Sequence, residues 1–272
     1  IPFNKSVWVL YANHDLLERC QLKAPQTWTE LQAASRVISE KTSLPGLVFR
    51  PGVDLFSLKY LSEGGELLGS NGKSQFSSPL GVQSLSYWSD FVHKNRSAFA
   101  SMQAMDVFGQ GSAGFLLETT SKLGRLEHDA KIKLDVLRVP AGKRQTSLVA
   151  GTNLGVFAQN SAAEKMASAR LIRFLTSPEV QAEWSQGSGY VPVRVATTTQ
   201  PAYAAFLKAN PHYQVGLSEL AQASKLPEVS GWESVRGVLD DAILGTLARE
   251  VLAEPALRRA AEATEQLLNQ RH

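Results

Sequence analysis

The sequence predicts an α/β protein, and three features carry that prediction. The first is Val7-Trp8-Val9-Leu10-Tyr11, a run apolar at successive positions that suits a central strand buried on both faces. The second is helical periodicity elsewhere. Met166, Ala169, Leu171, Ile172 and Leu175 recur every three or four residues, with Lys165, Arg170 and Arg173 on the outer face. The third is size: 272 residues, 43% of them hydrophobic, bury a real core in one large domain or two smaller ones.

Taken in order, the Val7–Tyr11 strand runs into Asn13-His14-Asp15, which turns the chain into a short helix. Thr27 then caps the next helix, with Glu30 three residues on to complete a capping box. Leu47-Val48-Phe49 reads as a short strand and Arg50-Pro51-Gly52-Val53-Asp54 as a turn-rich loop. A helix over 55–61 follows, with Gly64 suited to its left-handed C-cap. Ser77-Ser78-Pro79 starts a helix over 80–94 whose inner face carries Val82, Leu85, Trp88 and Val92, and Trp88 is expected in the core.

Residues 104–108 continue helical into Gly109-Gln110-Gly111-Ser112-Ala113-Gly114, which formally matches G-x-G-x-x-G. A dinucleotide fingerprint needs a strand before the glycines and a helix after them. Here the order is reversed, with a strand expected over 113–118, so that reading is rejected. Thr119, Thr120 and Ser121 follow, suited by type to cap a helix over 122–128. A strand over 133–139 leads to the Ser147–Phe157 segment, where Gly151 permits close backbone approach and Thr152 and Asn153 offer hydrogen bonds.

The helix over 163–175 gives way to Thr176-Ser177-Pro178-Glu179, in which Ser177 caps, Pro178 suits the first helical position and Glu179 complements the dipole. The second helix, over 179–186, stops at Gly187-Ser188-Gly189, before an extended Tyr190–Arg194. Helices are expected over 201–210, 217–224 and 235–247, and a last one from Pro255 to Gln270.

The order of these segments carries a resemblance. A helix ending in Phe174-Leu175, then T-S-P-E, then Gln181-x-x-Trp184, then Gly189-Tyr190-x-Pro192-Val193 is similar to the extracellular solute-binding proteins of bacterial ABC importers. The carbohydrate-type branch, which includes the maltose- and glycerol-3-phosphate-binding proteins, is the one resembled. Pro2-Phe3-Asn4-x-Ser6 with Leu10-Tyr11, Pro25-x-Thr27-Trp28-x-Glu30-Leu31 and the terminal Ala256-Leu257 pattern match it in the same order. The resemblance implies a type II periplasmic-binding fold: two α/β lobes joined by hinge strands. Residues 4–150 and 212–272 would form the second lobe and 151–211 the remaining part of the first. Because the hinge-entry segment stands at residue 1, the front of the first lobe is expected to be missing.

It also implies a site. Arg50 and Asp54 would face the ligand from their loop, although an Arg-Pro-Gly loop is as readily a solvated turn. Thr119, Thr120 and Ser121 would reach the cleft, a role compatible with capping. Gly151, Thr152 and Asn153 fall at the second hinge crossing, and Ser6 lies in the first. Trp232 stands where the family carries an aromatic that stacks on a sugar ring, competing with a core role. Arg236, one turn on, is placed for a salt bridge within the lobe or for an anionic ligand.

Other classes fit less well. Lys and Arg (28) are interspersed with Asp and Glu (25), so the formal charge of +3 forms no nucleic-acid arm. No apolar run spans a bilayer. The single Cys20 rules out an internal disulfide and reads as a small buried hydrophobe. His14, His93, His128, His212 and His272 lack metal-ligand spacing, and no nucleophile elbow or P-loop is present. Asp240 and Asp241 point about 100° apart on a helix and read as solvent-facing charges. No cofactor, metal or catalytic residue is expected.

What the resemblance implies is capture of a sugar or polyol, delivery to a membrane permease, and a periplasmic or extracellular location at the transporter. Glycerol-3-phosphate or a glycerophosphodiester is the alternative solute. The family's Gly-Leu-Arg is here Val229-Ser230-Gly231-Trp232, and loss of that Arg counts against a phosphate monoester. A non-transporting module that self-associates through an exposed sheet edge is the reading from a different class.

Overall fold

The computed structural model describes residues 1–269. Strand β1 (Pro2–Asn13) leads into helices α1 (His14–Cys20) and α2 (Trp28–Thr42), then β2 (Leu47–Phe49), α3 (Val53–Ser62), α4 (Pro79–His93) and β3 (Ala98–Ala100). Next come α5 (Ala104–Gly109), β4 (Phe115–Thr119), a 3-10 turn (Thr120–Lys122), α6 (Leu123–Asp129), β5 (Leu134–Leu137) and β6 (Ser147–Asn153). Helices α7 (Ala162–Leu175), α8 (Pro178–Ser188), α9 (Val195–Thr198), α10 (Pro201–Ala209) and α11 (Pro211–Leu220) precede β7 (Ala223–Ser224), α12 (Trp232–Leu247) and α13 (Ala253–Asn269).

β1 is the spine. Its second half pairs antiparallel with β4 and β5, and its first half pairs with β6. β2 lies parallel between β3 and β4, and β7 runs parallel beside the start of β6, giving the order β3-β2-β4-β1-β6-β7. Val7 through Ala12 are all buried, as the unbroken apolar run predicts.

Successive β1 residues feed two cores. Trp8, Leu10 and Ala12 join the larger one, filled by α1 to α4, α12 and α13. Val9 and Tyr11 join the smaller one, with Phe108, Leu116, Leu123, Leu126 and Tyr213. The larger core centres on Trp28 and Trp88, packed edge to face at 5.6 Å, with Tyr87 and Phe91 against Trp88. Trp28 also donates its Nε1–H to Ser62 Oγ at 2.8 Å, so its polar atom is satisfied in the interior.

The caps form as expected. Thr27 and Glu30 make the capping box of α2, and Ser78 and Ser177 cap α4 and α8 ahead of their prolines. Gly64 takes a left-handed conformation just past α3. Cys20 is a buried thiol at the end of α1.

Several expectations need correction. The helix placed over 217–224 runs from Pro211 to Leu220, because Pro211 supplies a new first turn directly after Asn210. Residues 223 and 224 pair with β6 instead. α12 begins at Trp232 rather than Val235, since Gly231 in a left-handed turn opens it. Thr119, Thr120 and Ser121 cap no helix: a 3-10 turn intervenes and its N-cap makes no side-chain bond. On α7, Met166 and Leu171 are more than half exposed, and only Ile172 is buried. Gln270 lies outside the described residues.

α11 is fixed by a buried acid. Glu219 is fully buried, accepts from Arg138 Nε at 2.5 Å and from Gln145 Nε2 at 3.3 Å. Burial raises its pKa above the usual carboxylate value, although the Arg138 and Gln145 bonds pull it back down.

Candidate functional site

The sheet register gathers the predicted site residues at one end. Phe49 is level with Leu117, Leu117 with Leu10, and Thr119 with Trp8, so Arg50 and Ser121 leave β2 and β4 at the same rim. β1 reaches that rim from the opposite direction, with Ser6 level with Ala150 and Lys5 with Gly151 on β6. In open α/β sheets the crevice outside the carboxyl ends of parallel strands is where ligands bind. Strand side chains point to the two faces of the sheet and not beyond its ends, so loop residues line that crevice.

At the β1–β6 crossing, Thr152 and Asn153 are exposed and Ser6 is buried. Gly151 has φ +118°, and a Cβ there would stand 1.8 Å from the Asn4 carbonyl oxygen, so only glycine fits. Asn4 Oδ1 is itself buried without a donor among the described residues. At the end of β4, the Thr120 hydroxyl accepts from the Val7 amide, and Thr119 Oγ1 and Ser121 Oγ lie 2.8 Å apart.

Across the rim, the Arg50–Asp54 loop meets α12. Arg236 Nη2 donates to Asp54 Oδ2 at 2.8 Å, and Asp240 Oδ1 accepts from the Val53 amide at 2.7 Å. Burial works against the Arg236 charge, but the bond to Asp54 and the carboxylates of Asp54, Asp240 and Glu233 outweigh it and raise the pKa. Burial raises the pKa of Asp240, moderated by the Val53 bond and the charges of Arg236 and Arg50. Arg50 is exposed and, among the described residues, forms no ion pair within 4 Å.

The structure therefore brings Arg50, Asp54 and Arg236 together on one side and Ser6, Gly151, Thr152 and Asn153 on the other, with Ser121 at the same sheet end. Trp232 is 7% exposed and packs in the larger core, the competing role weighed for it, so it presents no open stacking face here. Asp240 departs from the solvent-facing expectation. It is half-buried and caps α3, whereas Asp241 is exposed as expected. The signal for Asp240 was its spacing of four from Arg236 and eight from Trp232, which puts all three on one helix face.

A cavity of about 430 Å³ also opens between the 68–73 hairpin, Val229-Ser230 and α13. Among the described residues, none that line it belongs to a strand of the sheet. Among the described residues no group of His, Cys, Asp and Glu is placed to hold a metal ion, and no helix is long and apolar enough to cross a membrane.

An α/β sheet with its loops converging at one rim, and a long strand passing beyond that rim into a second ladder, is the type II periplasmic-binding architecture. The chain belongs to the bacterial extracellular solute-binding protein family, whose model matches residues 1–215. It is 24% identical over 293 residues to the sn-glycerol-3-phosphate-binding periplasmic protein UgpB of Yersinia enterocolitica, covering 98% of this chain and 66% of that protein. It therefore spans just under two thirds of that relative's length. Maltose-bound MalE3 of T. maritima superposes with a TM-score of 0.89 at 27% identity, covering 98% of this chain and 72% of that one. UgpB from Mycobacterium tuberculosis, in complex with glycerophosphocholine, shares the fold with a TM-score of 0.92 at 17% identity, over 100% of this chain and 71% of that one.

Proposed function

We propose that the chain is the substrate-binding subunit of an ABC importer, which captures a sugar or polyol at the sheet rim and delivers it to a membrane permease. The observation that carries this reading is the meeting, at one sheet end, of the Arg50–Asp54 loop, Thr119–Ser121 and the β1–β6 crossing. In this proposal residues 4–150 and 212–272 form one lobe and 151–211 belong to the other. Ligand contacts to both lobes favour the closed form by their differential affinity. The protein binds and releases its solute without chemical change.

Paired charges at the rim favour a neutral ligand. Asp54 and Arg236 satisfy each other, and a polyol can add donors and acceptors to that pair without burying new charge. The unpaired Arg50 favours the second reading, a glycerophosphodiester, whose phosphate it would meet.

The test is a thermal-shift screen of the chain with maltose, ribitol, sn-glycerol-3-phosphate and glycerophosphocholine. Arg50→Ala and a Thr152→Ala/Asn153→Ala double variant serve as controls, all at exposed positions where substitution costs little stability. A rise with a neutral polyol that survives Arg50→Ala and is lost in the double variant supports the main reading. A rise only with phosphate compounds that vanishes in Arg50→Ala supports the second. No rise with any of the four removes both.

A further inference from the structure

The N-cap of helix α3 is Gly52, which has no side chain with which to cap it. Its first amide, Val53 N–H, would be an unsatisfied donor in a half-buried place. Asp240 supplies the missing acceptor from α12, 187 positions along the chain, at 2.7 Å. One turn away on the same helix, Arg236 holds Asp54, a first-turn residue of α3. The loop is thus held by two bonds of opposite polarity: a carboxylate on its amide and a guanidinium on its carboxylate.

The local sequence is shaped for this grip. Gly52 has φ +152°, and a Cβ there would lie 3.1 Å from Asp240 Oδ1. Any larger residue would be strained and would crowd the carboxylate. The charged groups around Asp240 are Arg236 and Arg50, which favour its ionised form, and Asp54, which opposes it. Trp232 precedes Arg236 by one turn and is rooted in the larger core, so α12 is a rigid reference for the loop.

We propose that Asp240 is a positioning residue of the binding site: it sets the Arg50–Asp54 loop against α12, and ligand affinity depends on it through that loop. This rests on the site assigned under the proposed function.

The test compares Asp240→Asn and Asp240→Ala in the full chain. The first keeps an oxygen for Val53 N–H and loses the charge; the second loses both. Amide exchange by NMR reads the loop, and calorimetry with maltose, ribitol and glycerophosphocholine reads binding. A hydrogen bond to a charged acceptor predicts that Asp240→Ala lowers Val53 protection by about tenfold or more, with sheet amides such as Phe115 N–H, which donates to the Gly46 carbonyl, unchanged. Affinity for the probe that wild type binds falls about tenfold with it, while Asp240→Asn stays within about threefold on both readouts. Gly52→Ala, which strains the same loop with Asp240 intact, lowers affinity as well. Unchanged Val53 protection in Asp240→Ala overturns the proposal, and so does lost protection with unchanged affinity. If wild type binds none of the probes, the site assignment has failed, and lost protection then marks a cap with a structural role only.

Discussion

Replacing Gly151 with alanine should destabilise the protein through the backbone alone. Gly151 sits opposite Lys5 where β1 and β6 cross, with φ +118°. An alanine in a left-handed conformation costs roughly 1–2 kcal/mol. Its Cβ would also stand 1.8 Å from the Asn4 oxygen and 2.8 Å from the Asn4 carbonyl carbon, both backbone atoms that no rotamer change can move. The ladder must shift, weakening one or two hydrogen bonds worth about 1 kcal/mol each. The expected loss is about 3 kcal/mol, or a fall in Tm of about 6–12 °C for a chain of this size. Urea and thermal unfolding of Gly151→Ala measure it, with Gly155→Ala as control because a Cβ there meets nothing within 4 Å. A Gly151→Ala stability within about 0.5 kcal/mol of wild type would show that the ladder accepts a Cβ at this position without strain.

Further expectations follow from the paired charges. Asp54→Ala leaves the partly buried Arg236 guanidinium without its partner and should cost about 1–2 kcal/mol by urea unfolding. A cycle with Arg236→Ala should return a coupling of about 1 kcal/mol, and zero coupling would deny the pair any role. Glu219 gives a pH dependence. Its folded pKa is raised above the ordinary 4.5, so the native state binds more protons than the unfolded chain between those two values. Its contribution to stability falls as pH rises through that window and is level above it. Relative to Glu219→Gln, wild type should therefore gain stability as pH is lowered from neutral toward 4.5, and an opposite slope in paired urea melts would refute the assignment.

Local chemistry made most of the fold readable. Thr27 with Glu30, Ser78 before Pro79 and Ser177 before Pro178 announce helix starts through bonds made within three residues. Val7 to Ala12 announces a central strand because both faces had to be apolar. The candidate site was readable, through the family resemblance, where it follows the ends of strands, at Arg50, Ser121 and Gly151. It was not legible where a partner came from far along the chain. Asp240 caps a helix that starts at Val53, and Glu219 is buried against Arg138 and Gln145, pairings whose spacing carries no periodic signal. Trp232 shows a different limit. One residue type serves both a core and a stacking platform, and only the depth of α12 in the larger core distinguishes them. The open apolar stripe of α7 makes the same point, since periodicity reveals a face and not what covers it.

If solute binds where the strand ends converge, titration with it moves the backbone amide resonances of that rim. With the ligand found in the thermal screen, shifts should cluster at residues 50–54, 119–121, 150–153 and 232–236. Shifts confined instead to the cavity lined by Asn71, Lys73, Ser230 and Glu265 would contradict binding at the rim.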